Sequence, residues 1–308
     1  MGGGSYSSTS WDTFSDSRGY HDPHTTVDHI YSSRSINPDL DPKKFKFRES
    51  VDSADNPEST PVIIALDVTG SMTPVLDSIA RKGLKTICEE IYDRKPITNP
   101  HICTLGIGDV ECDSAPLQAT QFEADIRIFK QLEEIWLERG GGGNYHESYI
   151  LAWYFAMHRV ASDSFRKRGR KGFIFTIGDE EITPSISSNH LSDHLGDSCE
   201  GFSAQSMFDL TFPEWEIFHI IVKEGSHASR NLDKVVQSWT KVLGQRAVQL
   251  SDHTKVGELV VSLMEMTTGK SAPEVVDSWD GDTSVILRDS IKDITISSPN
   301  VKPVDEYL

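Results

Sequence analysis

In Val62-Ile63-Ile64-Ala65-Leu66-Asp67-Val68-Thr69-Gly70-Ser71-Met72, an unbroken apolar run leads into one acid and two hydroxyls at alternate positions. A continuous apolar run of this length, bounded by Pro61 and by a polar turn, reads as a strand covered on both faces in a parallel sheet. Asp67, Thr69 and Ser71 would then lie in the crevice outside the strand's carboxyl end, where open α/β sheets bind ligands. Hard oxygen donors in that number suit Mg²⁺ better than a soft metal.

Working outward, the pattern repeats. Thr73 to Tyr92 has helical apolar spacing, with Pro74 in its first turn. Ile102 to Ile107 reads as a second buried strand, Thr120 to Phe122 as a short edge strand, and Asp125 to Glu138 as a helix ended by Gly140 to Gly143. A helix over 149–160, a strand over 173–177 closed by Gly178-Asp179-Glu180-Glu181, and short helices within 185–212 follow. Strands over 216–222 and 247–250 alternate with helices over 232–243 and 255–266. Such alternation predicts an α/β fold: a doubly wound, mostly parallel Rossmann-like sheet over residues 58–269.

The flanks read differently. Residues 1–57 are rich in Ser, Gly, Asp and His without sustained periodicity, which predicts an extended or disordered arm. Its aromatics Tyr6, Trp11, Phe14, Tyr20 and Tyr31 are unusual for such an arm and suit packing across the domain or onto a partner. Residues 270–308 are acidic and proline-punctuated and read as a tail, with short strands over 285–287 and 294–296 and no second core.

Composition narrows the function. The 308 residues carry a formal charge of −17, which disfavours nonspecific binding to nucleic acid or anionic membrane. The basic run Arg166 to Lys171 reads as a solvated helix-to-strand loop, and His21, His24 and His29 as solvated tail residues. Cys88, Cys103, Cys112 and Cys199 form no C-x-x-C pair, which favours a reducing setting over a zinc ribbon or disulfide scaffold. No apolar run has the length of a membrane span, and the N-terminus has no basic-then-apolar signal pattern. A cytoplasmic protein is expected. Asp109, Glu111 and Asp113 crowd the loop after the second strand, either as an acidic surface loop or as further oxygen ligands.

The D-x-T-x-S pattern of Asp67, Thr69 and Ser71 after an apolar strand resembles the metal-ion-dependent adhesion site of the von Willebrand factor A domain family. The resemblance covers roughly Pro61 to Thr268 and implies that Asp179, at the end of a middle strand, is a further metal ligand. It also implies a ligand from a loop before a later helix, usually threonine. Here that loop is Gly140-Gly-Gly-Gly-Asn144-Tyr145-His146-Glu147-Ser148. Asn144 offers an amide carbonyl in place of the threonine, and Ser148 or Glu147 can contribute through water. The implied function is noncatalytic: Mg²⁺, with Mn²⁺ or Ca²⁺ as substitutes, bridges to a carboxylate of a partner protein. Intracellular members commonly act as adaptors beside MoxR-type or other AAA+ ATPases.

The same stretch also resembles the D-x-T-G-T motif of haloacid-dehalogenase-like phosphotransferases. Asp67 would then be the nucleophile, Thr69 and Ser71 would hold phosphate, and Asp179 would bind Mg²⁺. Lys167 or Lys171 would serve as the phosphate lysine. Thr69 stands where the soluble members carry an acid for proton transfer, so this scheme lacks its general acid. A third reading needs no ligand: Asp67, Thr69 and Asp179 cap the helices that follow them.

Overall fold

The computed structural model describes residues 3–139 and 144–296. Six strands form the central sheet: β1 (Thr60–Asp67), β2 (Pro100–Ile107), β3 (Leu117–Ala119), β4 (Gly172–Gly178), β5 (Trp215–Val222) and β6 (Ala247–Leu250). Their order is β6-β5-β4-β1-β2-β3, and only the β2–β3 pair is antiparallel. Every residue of β1 is buried, and its side chains alternate between two cores. Val62, Ile64 and Leu66 face one helical layer, while Ile63 and Ala65 face the other.

Helices α1 (Ser8–Arg18), α2 (Thr73–Ser78) and α3 (Leu84–Arg94) contribute to the first layer, with a π-helical turn over Ile79–Gly83 joining the last two. On the opposite face lie α4 (Ile150–His158) and α5 (Ala228–Leu243). The first layer is completed by α6 (Val256–Thr267), α7 (Ala272–Asp277) and α8 (Gly281–Ile291). The doubly wound architecture expected from the alternation is the one observed. Successive connections run outward from β1 toward β3 and from β4 toward β6, so the winding reverses between β1 and β4. In such sheets the crevice at that reversal is where ligands sit.

The N-terminal segment departs from the extended arm read from composition. Trp11 is fully buried, with its ring centroid 4.3 Å from that of Phe129. The Tyr20 hydroxyl donates to Glu133 at 2.8 Å, and that of Tyr31 to the Leu76 carbonyl at 3.2 Å. The segment then crosses the outer edge of β3, where the Ala119 amide donates to the Leu40 carbonyl at 2.9 Å. The buried Arg48 donates to the Ala119 carbonyl at 2.8 Å, and Arg48–Ser50 pairs in parallel with Val160–Ser162. A segment too poor in apolar residues to form its own core still gains by filling a neighbour's, and it satisfies an otherwise open sheet edge.

Beyond residue 269 the expected short strand at 285–287 is replaced by α8, and 294–296 are not in a strand. The Ser271 side chain and Glu274 form a reciprocal capping box that starts α7. Leu287 and Ile291, four residues apart, are fully buried in the same core as α6. Arg94 lies over the Trp279 ring at 3.7 Å, and the indole donates to Ser262 at 3.0 Å. Residues 270–296 thus extend the domain rather than trail from it, and 297–308 lie outside the described residues. Two internal boundaries also shift: the edge strand is Leu117–Ala119 rather than 120–122, and the helix read over 125–138 is confined to Arg127–Leu132.

Candidate metal centre

Asp67 is the last residue of β1, and Asp179 directly follows Gly178, the last of β4. Because those strands are neighbours, both carboxylates reach the same crevice, and both are fully buried. Asp67 Oδ1 accepts from the Thr69 amide at 2.8 Å and from the Thr69 hydroxyl. The Thr69 and Ser71 hydroxyls lie 3.2 Å apart, and Ser71 donates to Asp179 Oδ1 at 2.8 Å. A continuous oxygen chain therefore runs from one strand end to the other through the side chains singled out in the sequence.

Two further contacts hold the carboxylates from outside. The phenolic hydroxyl of Tyr149 donates to Asp67 Oδ2 at 2.8 Å, and the His227 amide donates to Asp179 Oδ2 at 2.8 Å. Two glycines make room for this arrangement. A Cβ at Gly178 would fall 1.9 Å from the Tyr149 hydroxyl oxygen, and one at Gly225 would fall 2.2 Å from Asp179 Cβ. The Tyr149 ring packs edge-on to His219, which lies flat on Trp239 with centroids 3.4 Å apart. Burial drives the His219 pKa well below its ordinary value, so this ring is neutral. Tyr149, Gly225 and His227 had no local signal: each acts on a residue brought to it by the sheet.

The electrostatics are those of crowded acids. Asp67 is pushed up to about 7, first by burial and then by the charge of Asp179. Glu180 is pushed up to about 8, first by burial and then by Asp67 and Asp179. Glu147 is raised far above the carboxylate range, chiefly by burial, with Asp67 next. Among the described residues, no Lys, Arg or His side chain forms an ion pair with Asp67, Asp179 or Glu147. Helix capping does not require such an arrangement. Neither Asp67 nor Thr69 caps α2, and Asp179 Oδ2 accepts the amide of the residue preceding α5. Two buried carboxylates and two hydroxyls without a cationic partner fit a hard divalent cation, whose charge would remove the cost of burying them.

The remaining candidates separate from this chain of contacts. Asn144 donates its side-chain amide to Asp109, and Ser148 donates to Asp109 at 3.3 Å and accepts from the Val110 amide at 3.1 Å. Asp113 accepts from the Asp109 amide at 2.8 Å. Asn144, Ser148, Asp109 and Asp113 thus form a neighbouring cluster that ties two loops together, and none of these hydrogen bonds reaches Asp67 or Asp179. Glu147 is buried, and among the described residues its Oε2 has no hydrogen-bond partner. The glycines at 140–143, read as the end of a helix and the start of the ligand-bearing loop, lie outside the described residues.

The basic run is engaged structurally. Lys167 pairs with Asp163 at 2.7 Å and with Asp52 at 3.1 Å, Arg168 with Asp52 at 2.8 Å, and Lys171 with Glu216 at 3.2 Å. Among the described residues, the one group of three acid or histidine side chains within ligand distance is Glu224, Asp252 and His253, at a partly exposed surface. No described helix is long and apolar enough to cross a membrane.

No family model matches the chain, and no curated protein matches it. Among solved structures, the open form of the pilus adhesin SpaC from Lactobacillus rhamnosus GG aligns with a TM-score of 0.44 at 9% identity, over 71% of this chain and 30% of the adhesin. Proximal thread matrix protein 1 from the mussel byssus aligns at 0.41 and 8% identity, over 67% of this chain and 47% of that one. The conserved hypothetical protein BatB from Bacteroides thetaiotaomicron aligns at 0.32 and 15% identity, over 53% of this chain and 66% of its own. This chain therefore spans less than a third of the adhesin and less than half of the matrix protein.

Proposed function

We propose that this chain is a metal-dependent protein-interaction module of the von Willebrand factor A type. Asp67, Thr69, Ser71 and Asp179 would hold Mg²⁺, with Mn²⁺ or Ca²⁺ as substitutes. One observation carries the reading: two fully buried carboxylates, from the ends of adjacent strands, are linked through hydroxyls and, among the described residues, form no ion pair with a Lys, Arg or His. The bound cation would supply positive charge and a coordination position for a carboxylate on a partner protein. It would also invert the local field, so a surface of net charge −17 need not repel an acidic group at this one place. A MoxR-type or other AAA+ ATPase is the partner class the resemblance implies.

The phosphotransferase reading is less well supported. Both oxygens of Asp67 already accept hydrogen bonds, from Thr69 and from Tyr149, and the residue two positions on donates to Asp67 rather than serving as an acid. Lys171 immediately precedes β4, so it lies at the opposite end of that strand from Asp179. Lys167, on the helix Asp163–Arg168, is paired with Asp52 and Asp163.

Calorimetric titration with Mg²⁺ or Mn²⁺ is expected to show binding that Asp67→Ala abolishes and Asp179→Ala weakens. Unchanged affinity in Asp67→Ala would overturn the metal assignment. Incubation with acetyl phosphate, p-nitrophenyl phosphate or ATP is expected to leave Asp67 unmodified, and Asp67-dependent turnover would favour the enzyme instead. A pull-down with and without chelator, comparing the intact chain with Asp67→Ala, addresses the partner.

A further inference from the structure

Arg48 is a buried cation in which the metal centre has no part. It is 5% exposed, and among the described residues its guanidinium forms no ion pair. Nη2 alone donates, to the carbonyls of Asp39 and Ala119, while Nε is buried without a hydrogen bond. The Phe45 ring covers one face of the guanidinium, with its centroid 3.6 Å from Cζ. An arginine is rarely buried without an acid beside it, because taking its charge out of water is costly. Two carbonyls and a ring offset part of that cost and leave most of the fork of donors unused. The side chain also lines a cavity of about 380 Å³, where the N-terminal segment crosses the edge of the sheet. That volume falls in the range of small-molecule sites, roughly 300–1,000 Å³. Pro38, Leu40 and Phe45 give the cavity an apolar wall, and Gln121 and Gln131 face it with amides.

We propose that this cavity binds a small monocarboxylic acid with an apolar body, its carboxylate on Arg48 and its hydrocarbon against Pro38, Leu40 and Phe45. The planar guanidinium suits a carboxylate, and Lys44 at the same cavity adds a second cation that, among the described residues, has no ion pair. Asp39 and Glu134 also line the cavity, so a second negative charge on the ligand, as on phosphate, would meet repulsion. None of these residues belongs to the metal centre, and the proposal stands independently of the metal-dependent reading. Arg48 already joins the Asp39 carbonyl of the N-terminal segment to the Ala119 carbonyl of β3, so a ligand held there fastens that segment to the sheet edge.

Calorimetric titration of the full chain with isovalerate and benzoate is expected to show binding. The neutral isosteres isovaleramide and benzamide should bind about tenfold or more weakly, because they lose the charge-assisted hydrogen bonds. Inorganic phosphate should bind no better than the amides. In Arg48→Gln the preference for acid over amide is expected to vanish, and a preference that survives would overturn the role of Arg48. Because Arg48 also fastens the N-terminal segment, a second test uses the unmodified protein. Anomalous scattering from crystals soaked in 4-bromobenzoate should place bromine in the cavity beside Phe45, with the carboxylate on Arg48. Bromine found only elsewhere, acid and amide of equal affinity in the parent, or no carboxylate binding in calorimetry would each overturn the site. Phosphate bound more tightly than isovalerate would overturn the monocarboxylate assignment.

Discussion

Asp67 shows how much of the site depends on single atoms. The alternation of Asp67, Thr69 and Ser71 was legible because the three lie in one turn and contact one another directly. Tyr149 was not legible, because the hydrogen bond that fixes Asp67 Oδ2 joins residues 82 positions apart. The metal-free protein should register the burial of Asp67. Its folded pKa of about 7 lies above the unfolded value near 3.9, so across that interval the native state holds a proton that the unfolded chain has released. The contribution of this group to stability is complete below the unfolded value and is lost as pH rises through about 7. In chelator, denaturation midpoints from pH 4 to 8 should therefore fall more steeply with pH for the parent than for Asp67→Asn. Parallel profiles would contradict this account.

At the scale of elements, periodicity located the helices that pack on the sheet and missed those at the chain ends. α3 and α6 carry apolar residues on the spacing of a buried face, so their existence follows from local pattern. In α1 only Trp11, Phe14 and Ser15 are buried, too few to set a period. What places α1 is the aromatic surface offered by Phe129, which no local window contains. Trp11→Ala should cost about 3–5 kcal/mol by emptying a fully buried site. Urea denaturation measures the loss, and a change within about 0.5 kcal/mol would restore the view of residues 1–57 as a dispensable arm. The same segment covers the β3 edge, so its removal should also produce concentration-dependent association in gel filtration.

For the molecule as a whole, a cation that binds only the folded state adds to its stability by mass action. Mg²⁺ at about one hundred times its dissociation constant should contribute about 2.7 kcal/mol. Thermal melts with Mg²⁺ and with chelator should differ accordingly in the parent and coincide in Asp67→Ala, and an equal shift in both would place the ion elsewhere. The layered α/β order was determined by the sequence itself, because buried parallel strands are continuous apolar runs and their crossover helices carry a helical period. The oxygen pattern after β1 was local in the same way. Only the tertiary structure placed β4 against β1, which brings Asp179 to Asp67 through Ser71. It likewise buried Glu147 with Oε2 free of hydrogen bonds among the described residues, tied Asn144 and Ser148 to Asp109, and folded segments within 3–57 and 270–296 onto the core. These outcomes depend on which strands become neighbours and which gaps remain to be filled, quantities set by packing across the whole chain rather than by any stretch of it.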